Sequence, residues 1–233
     1  MARRDHPLRS IRAGVERVST GDQARHYHRE GYANLVLSGR FIEAAFAGRS
    51  SVEPGHVLLH GAFDAHADMS GGARGPTILR LPWRAIGPEG RFKVADPDRI
   101  AALAERSVAA AVEALAEMLE ECPAGEPHWS DRLAADLVRG AEFPLSRWAE
   151  ENGLSPDAVS RGFARRFGAS PKRFRLEART RAAWRRVVSE GASLTTIAHD
   201  AGFSDLAHMS RSIAAMTGQP PSYWRKAPAL AGG

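Results

Sequence analysis

The sequence is poor in cysteine, and its single one, Cys122, has no partner in the chain for a disulfide. This scarcity favours a reducing compartment. Long apolar runs are also missing, which excludes a membrane-spanning helix of about 18 residues or more. The opening residues Met1-Ala-Arg-Arg-Asp-His are not followed by the apolar stretch of a secretory signal. We therefore expect a cytoplasmic protein with no membrane partner.

Negative charge is scarce in the last part of the chain. Residues 143–233 carry 14 Lys and Arg against 7 Asp and Glu, a net charge of +7. Residues 1–142 carry 18 against 20, a net charge of −2. A basic segment joined to a slightly acidic one is expected when only one of the two binds phosphates. The charge distribution predicts that the C-terminal part binds nucleic acid.

The basic segment contains one pattern twice. In chain order each copy has an alanine, a glycine, a serine, a Ser-Arg pair, a glycine and a proline: Ala149, Gly153, Ser155, Ser160-Arg161, Gly168 and Pro171 in the first, and Ala198, Gly202, Ser204, Ser210-Arg211, Gly218 and Pro221 in the second. The offset between copies is 49 residues as far as the first glycine and 50 from the Ser-Arg pair onward. One residue is therefore inserted in the turn of the second copy.

Each position of the pattern has a physical reason in a helix-turn-helix. The alanine lets two helices cross closely, and the first glycine ends a helix because it adopts positive φ without strain. The serine accepts a hydrogen bond from a free N–H at the start of the next helix. In the first copy, Pro156 follows at a position where a missing N–H costs nothing. Two such units predict a domain that reads DNA.

The chain before the repeat changes character along its length. Short apolar stretches separated by Gly, Ser and Pro predict a β-barrel or jelly roll over residues 9–95, with a flexible loop from Ser70 to Pro76. Asp96-Pro97-Asp98 opens a predicted helix that runs to about Glu121. The apolar stripe of this helix, between Ile100 and Leu119, packs either on the β domain or on a second copy of the chain.

The rest of the chain is predicted to be helical. We expect a helix over 129–140, helices throughout 144–226, and a long Arg-rich helix from about Pro171 to Ser189. The fold class is therefore α+β multidomain, with an N-terminal cupin-like β-barrel, connecting helices and a C-terminal all-α double helix-turn-helix. The expected domains are a sensor over 1–95, linker or dimerisation helices over 96–142, and a DNA-binding domain over 143–233.

With both repeats read, the chain resembles the AraC/XylS family of transcription regulators. The most specific match runs from Ile197 to Arg211 and continues from Gly218 to Arg225. The resemblance implies a seven-helix module in which one central helix holds two helix-turn-helix units on adjacent major-groove segments. It also implies an N-terminal cupin-like sensor, a small-molecule effector, a homodimer and contact with RNA polymerase.

The resemblance assigns DNA contacts residue by residue. The positions that match base-facing ones in the family are Asp157, Ser160, Arg161, Leu206, Ala207, Ser210 and Arg211. Better candidates for phosphate contacts are Arg165, Arg166, Lys172, Arg173 and Arg225. The chain departs from the family at Gly162, inside the first recognition helix, and at Ile213 and Ala214, where an aromatic and a basic residue are usual. These departures predict a weaker DNA face.

Histidines in the β-rich part resemble the histidine framework of cupins. His26 and His28 lie two residues apart and face the same side of a strand, and His66 from a later strand completes a set for a divalent metal. His60 lies close by in sequence. The glutamate usual in cupins is missing, because Tyr32 and Ala33 occupy its positions. A bound metal, an organic effector pocket and structural histidines all remain open.

The sequence thus predicts a sequence-specific, effector-responsive transcription regulator rather than an enzyme. One alternative is a metal-dependent cupin enzyme with an appended DNA-binding module. Another is an architectural DNA binder whose barrel serves only to dimerise. Effector-dependent DNA binding distinguishes the regulator from the architectural protein, and metal content distinguishes the enzyme.

Overall fold

The computed structural model describes residues 12–18, 21–70, 75–123, 126–140 and 143–226. The chain forms two compact units, Met1–Glu126 and Pro127–Gly232. The loop expected after Ser70 has residues 71–74 outside the described part of the chain. Among the described helices, none combines the length and the apolar character needed to cross a membrane.

The first unit is built mainly from antiparallel strands. They are β1 (Gly14–Arg17), β2 (Gln23–His26), β3 (Tyr32–Ser38), β4 (Phe41–Ala45), β5 (Gly48–Val52), β6 (His56–His60), β7 (His66–Ser70), β8 (Thr77–Pro82), β9 (Gly90–Val94) and β10 (Leu119–Glu121). One sheet has the order β1-β8-β3-β6-β9-β10 and the other the order β2-β7-β4-β5. The β-rich N-terminal fold predicted from the apolar stretches is confirmed.

The six-stranded sheet is covered on both faces. On one face Leu35, Leu59 and Leu79 pack in a cluster with residues from two helices. On the other face the neighbouring positions Val36, Leu58 and Ile78 pack with residues of the four-stranded sheet. Successive side chains of a strand point to opposite faces, so a strand buried on both faces is apolar at every position. This is why residues 35–37 of β3 and residues 57–59 of β6 are continuous apolar runs.

The helix expected to open at Asp96-Pro97-Asp98 and to run to about Glu121 is wrong as a single element. The structure has α1 (Pro97–Ala104), α2 (Val108–Met118) and then β10. The chain breaks at Ser107, whose hydroxyl accepts a hydrogen bond from the Ala110 N–H and so starts a new helix. Both helices lay the expected apolar stripe on their own sheet, through Ile100, Ala111 and Leu115.

The second unit is helical, as predicted. Its helices are α3 (Trp129–Val138), α4 (Leu145–Glu151), α5 (Pro156–Phe167), α6 (Pro171–Ser189), α7 (Leu194–Asp200), α8 (Leu206–Thr217) and α9 (Pro221–Lys226). The pairs α4–α5 and α7–α8 are the two helix-turn-helix units, and α6 is the long central helix that the sequence predicts at the same bounds. Residues 96–142 are divided, because α1 and α2 belong to the first unit and α3 to the second.

Aromatic side chains on α6 hold the two halves of the second unit together. Near its start Phe174 meets Phe163 and Phe167 of α5 edge-on, with ring centroids 5.2 and 5.3 Å away. Near its end Trp184 meets Trp224 of α9 edge-on at 5.7 Å. The two ends of α6 are therefore packed against α5 of the first helix-turn-helix unit and against α9, the helix that follows the second unit.

Candidate functional site

Helix α5 has one buried face and one solvent-exposed face. Val159, Phe163 and Phe167 are fully buried, whereas Asp157 and Arg161 are exposed on the other side. Ser155 caps the helix, its hydroxyl accepting a hydrogen bond from the Ala158 N–H at 3.2 Å, as predicted. An exposed helix face that lies opposite a packed one is the form in which a recognition helix enters a major groove.

Helix α8 repeats this arrangement. Met209, Ile213 and Thr217 are buried, and Ala207 and Arg211 are exposed. Among the other predicted base-reading residues, Leu206, Ser210 and, on α5, Ser160 are half-buried. The predicted base-reading residues thus lie on, or beside, the solvent faces of the two helices. Ile213, one of the departures from the family pattern, is a core residue.

The turn before α8 differs from the one before α5. The expected cap, Ser204, does not start α8; Asp205 does, with its carboxylate accepting a hydrogen bond from the His208 N–H at 2.6 Å. This hydrogen bond lowers the pKa of Asp205 below its ordinary value. Capping by Asp205 instead of Ser204 starts α8 one residue later than the repeat predicts. The offset between the two copies therefore changes from 49 to 50 residues at this turn.

Arg161 is already engaged in the absence of DNA. Its guanidinium donates to the Asp157 carboxylate at 2.7 Å, one helical turn earlier, with both side chains at least two-thirds exposed. A pair this exposed contributes little to stability, on the order of 0–1 kcal/mol. It does hold two of the predicted base-reading side chains in one arrangement.

The structure separates the five predicted phosphate residues into two groups. Arg165, Lys172 and Arg173 are exposed, and Arg173 pairs with Glu177 at 2.6 Å. Arg166 and Arg225 instead face the domain itself. Arg166 donates to the hydroxyl of the fully buried Ser130 on α3 at 2.8 Å. Arg225 donates to the Ala192 carbonyl at 2.9 Å. A phosphate role does not fit these two residues, because their donors are directed at protein atoms.

Gly162 has a structural reason that the sequence does not reveal. It lies on the buried side of α5, and a Cβ atom at this position would come within 2.8 Å of the Trp129 ring on α3. The departure from the family pattern at Gly162 therefore makes room for α3 and leaves the exposed face of α5 unchanged.

Two further arginines of α6 hold the second helix-turn-helix unit against this helix. Arg179 donates to the Gly202 carbonyl at 2.6 Å, and its guanidinium lies 5.9 Å from the Phe203 ring centroid. Arg186 donates to Asp200 at 3.0 Å, at the end of α7. In the sequence, the spacing of Arg186 and Glu190, one helical turn apart, indicates that Arg186 is paired.

Three of the four predicted histidines come together in the first unit. His26 and His66 are direct partners in the β2–β7 pair, and their ring centroids lie 4.3 Å apart. The His28 ring lies 5.0 Å from His26 and 5.5 Å from His66. One ring nitrogen from each of the three lies within 4.8 Å of the others. The histidine set expected from the sequence is therefore spatially assembled.

His60 does not belong to this set as a ligand. Its Nδ1 lies 3.0 Å from the Asp64 carboxylate and its Nε2 lies 3.1 Å from Glu43. Burial opposes the charge on its ring, but the two carboxylates outweigh it and raise the pKa of His60 to about 10. A doubly protonated imidazole has no lone pair to offer a metal. His60 is instead a buried cation held between two acids.

Other buried groups complete a polar interior around the histidines. Burial, together with the Glu43 carboxylate, raises the pKa of Asp68 to about 7. Burial, and then the positive charge of His60, hold the pKa of His66 well below its ordinary value, so His66 is neutral. The Tyr32 hydroxyl lies 3.0 Å from His66 Nε2.

Comparisons with known proteins agree with the repeat. The family model described as a helix-turn-helix domain matches residues 148–227. No curated protein matches the chain. Among solved structures, ToxT from Vibrio cholerae is 10% identical, with 97% of this chain and 100% of that chain covered and a TM-score of 0.42.

Two further solved structures match less than half of this chain. The C-terminal domain of AraT, a response regulator from Geobacillus stearothermophilus, is 19% identical over 43% of this chain and 86% of that one, with a TM-score of 0.40. A probable AraC family transcriptional regulator from Rhodopseudomonas palustris is 24% identical over 42% and 91%, with a TM-score of 0.37. The family model assigns residues 148–227 to a helix-turn-helix domain, and the chain that carries this domain is a DNA-binding transcription regulator.

Proposed function

We propose that this regulator reads two adjacent major-groove segments of one duplex, with α5 in one and α8 in the other. The observation that carries the proposal is the equivalent placement of Arg161 and Arg211. Each is exposed on a helix whose opposite face is buried in the same unit. Two helices fixed to one rigid element suit successive major grooves about one turn apart, ~34 Å along the duplex.

The two arginines are proposed to select guanine. A guanidinium forks onto O6 and N7 of guanine, which contributes about 1–3 kcal/mol of discrimination. In this proposal Asp157 accepts from a cytosine amino group, Leu206 and Ala207 contact thymine methyl groups, and Ser160 and Ser210 donate to base edges. The ion pair between Asp157 and Arg161 supports adjacent bases as their targets.

The exposed residues Arg165, Lys172 and Arg173 are proposed to contact phosphates. Phosphate contacts place the domain on DNA without reading its sequence. Each such contact changes the slope of log affinity against log salt by about 0.9. Three contacts of this kind predict that the affinity for DNA depends moderately on salt concentration.

The first unit is proposed to bind an effector that changes the affinity of the regulator for DNA. Its buried polar interior, with His26, His28 and His66 assembled around Tyr32, supports a ligand of defined chemistry. An effector acts only if it binds the two functional states with different affinities. A homodimer and contact with RNA polymerase remain predictions from the family resemblance.

The proposal is tested by selecting random duplexes with the full-length protein and measuring affinity for the selected site and a scrambled one across a salt series. We expect an asymmetric site with two blocks about one helical turn apart. Arg161→Ala should relax preference in one block and Arg211→Ala in the other. Arg106→Ala, which removes an exposed arginine from the first unit, is the matched control.

Equal loss on selected and scrambled DNA for both variants would contradict base reading by α5 and α8. If no sequence is enriched and binding disappears as salt rises, the architectural alternative is favoured. The two outcomes are separable because the first keeps a selected site and the second never yields one.

A further inference from the structure

The histidine cluster of the first unit has the construction of a metal site. Strand pairing places His26 opposite His66, and His28, two residues beyond the end of β2, has its ring 5.0 Å from that of His26. The His28 carbonyl accepts a hydrogen bond from the Phe63 N–H at 2.8 Å, which fixes the backbone there. The three ligating positions are thus set by main-chain contacts.

Hydrogen bonds to main-chain carbonyls determine which ring nitrogens carry protons. His26 Nδ1 lies 3.0 Å from the Ala24 carbonyl oxygen, and His66 Nδ1 lies 3.1 Å from that of Asp64. A carbonyl oxygen only accepts, so both Nδ1 atoms are protonated and both Nε2 atoms carry lone pairs. A carbonyl bonded to the outer nitrogen is the usual way in which proteins orient a metal-binding histidine.

Carboxylates lie beside the histidines. Carboxylate oxygens of Glu43 and Asp68 come within 4.8 Å of a His66 ring nitrogen. These acids favour a cation in the cluster, and Glu43 also pairs with His60 Nε2 at 3.1 Å. Neutral imidazoles with nearby carboxylates suit the divalent ions of the first transition row, such as zinc and cobalt.

The Tyr32 hydroxyl is hydrogen-bonded to the lone pair of His66 that a metal ion would need. Since His66 Nε2 carries no proton, the Tyr32 hydroxyl donates to it at 3.0 Å. A metal ion that binds His66 must therefore displace the Tyr32 hydrogen bond.

We propose that His26, His28 and His66 bind one divalent first-row transition metal ion, and that Tyr32 competes with the ion for His66. The binding site is a property of the first unit. Its use as the effector site of the regulator rests on the function proposed above.

The test uses the full-length protein after removal of metals with chelator. Titration with Co²⁺ should give visible absorption bands that saturate at one equivalent and that Zn²⁺ abolishes. His26→Gln and His28→Gln should each lower the affinity for Co²⁺ at least tenfold. His199→Gln, a substitution at a histidine that is 91% exposed in the other unit, is the matched control and should bind as the parent does.

Folding of each variant is checked by thermal unfolding in chelator, where the ligand histidines have no metal to bind. His26 is half-buried, so His26→Gln serves where a change at the buried His66 would disturb the strand. Tyr32→Phe should raise the affinity for Co²⁺, because the ion no longer displaces a hydrogen bond. A lower affinity in Tyr32→Phe would overturn the competing role of Tyr32.

Failure to bind one equivalent of Co²⁺, or parent-like binding by both histidine variants, would overturn the site. A thiolate-to-cobalt absorption band would also do so, because it would assign the ion to Cys122, which lies 3.8 Å from His56. All of these readings are taken without DNA. Their outcome is therefore independent of duplex selection, the experiment that tests the proposed function.

Discussion

At the scale of single residues, Gly162 shows how packing against α3 limits the side chains allowed on the buried side of α5. The Trp129 ring that lies against it also contacts the rings of His128 and Trp148, at 5.3 and 6.3 Å between centroids. The ring therefore has neighbours that resist its movement. A residue with no side chain is needed on this side of α5, although glycine weakens a helix.

We expect Gly162→Ala to destabilise the second unit. The added methyl group would approach Trp129 to 2.8 Å, and overpacking of this kind costs about 1–3 kcal/mol. The better helix propensity of alanine returns about 1 kcal/mol. A net loss of about 1 kcal/mol should appear in urea unfolding followed by the helical circular dichroism signal.

The control is the same substitution in a Trp129→Leu background. With the ring removed, Gly162→Ala should stabilise the unit through helix propensity alone, by up to about 1 kcal/mol. The effect of the methyl group then changes sign between backgrounds. The same sign in both would show that Trp129 does not limit this position.

At the scale of elements, α5 presents two consecutive arginines in opposite roles. Arg165 is exposed, and Arg166 reaches α3, where it donates to Ser130 and lies 3.9 Å from Asp131. Both residues have the same charge and nearly the same sequence context. Only the direction of the side chain around the helix distinguishes them.

Arg165→Ala and Arg166→Ala should therefore affect different quantities. Arg165→Ala should reduce the salt slope of DNA binding by about 0.9 and leave stability within about 0.5 kcal/mol. Arg166→Ala should lower the free energy of unfolding by about 1–3 kcal/mol, because it removes a hydrogen bond from a charged guanidinium to the buried Ser130 hydroxyl, which then keeps only its contact with His128. Its salt slope should match the parent's. A reduced slope in Arg166→Ala with unchanged stability would return the phosphate role to this residue.

The same pair shows what the sequence could predict. The repeat located α5, α6 and α8 correctly because their glycines, caps and prolines are local signals. The inward direction of Arg166 depends on Ser130, 36 residues earlier on another helix, and no local pattern carries that information. The pairing of His60 is non-local in the same way, since one of its two carboxylate partners, Glu43, comes from a different strand.

The break between α1 and α2 was missed for a different reason. Both helices lay apolar residues on the same sheet face, so the apolar stripe continues across the break. Periodicity alone therefore predicts one helix. Ser107 was the available signal, because serine before an apolar run is a common N-terminal cap.

At the scale of the whole molecule, the charge of the second unit is less available to DNA than its sum implies. Among the arginines of α6, Arg186 pairs with Glu190 and Asp200, and Arg179 donates a hydrogen bond to the Gly202 carbonyl. Much of the basic character of α6 therefore serves to hold the two helix-turn-helix units in place. The charge proposed to face DNA lies on α5, on Lys172 and Arg173 at the start of α6, and on Arg211.

The boundary between the units gives the last prediction. A fragment of residues 127–233 keeps α3, whereas a fragment of residues 143–233, the domain expected from the repeat, lacks it. Leu133, Ala134 and Leu137 of α3 are buried within the second unit, and Trp129 covers Gly162. Loss of a buried leucine costs about 2–5 kcal/mol, so loss of the whole helix removes most of the 5–15 kcal/mol that stabilises an ordinary domain.

We therefore expect the longer fragment to melt cooperatively and to bind the selected duplex with the salt slope of the full chain. The shorter fragment should lack a cooperative transition and should bind DNA weakly. Leu133→Ala in the longer fragment is the intermediate case, with a lower melting temperature and an unchanged salt slope. Thermal unfolding by circular dichroism and fluorescence anisotropy with labelled duplex measure both properties. Equal melting temperatures for the two fragments would mean that α3 is only attached to the domain and that the unit that reads DNA begins at α4.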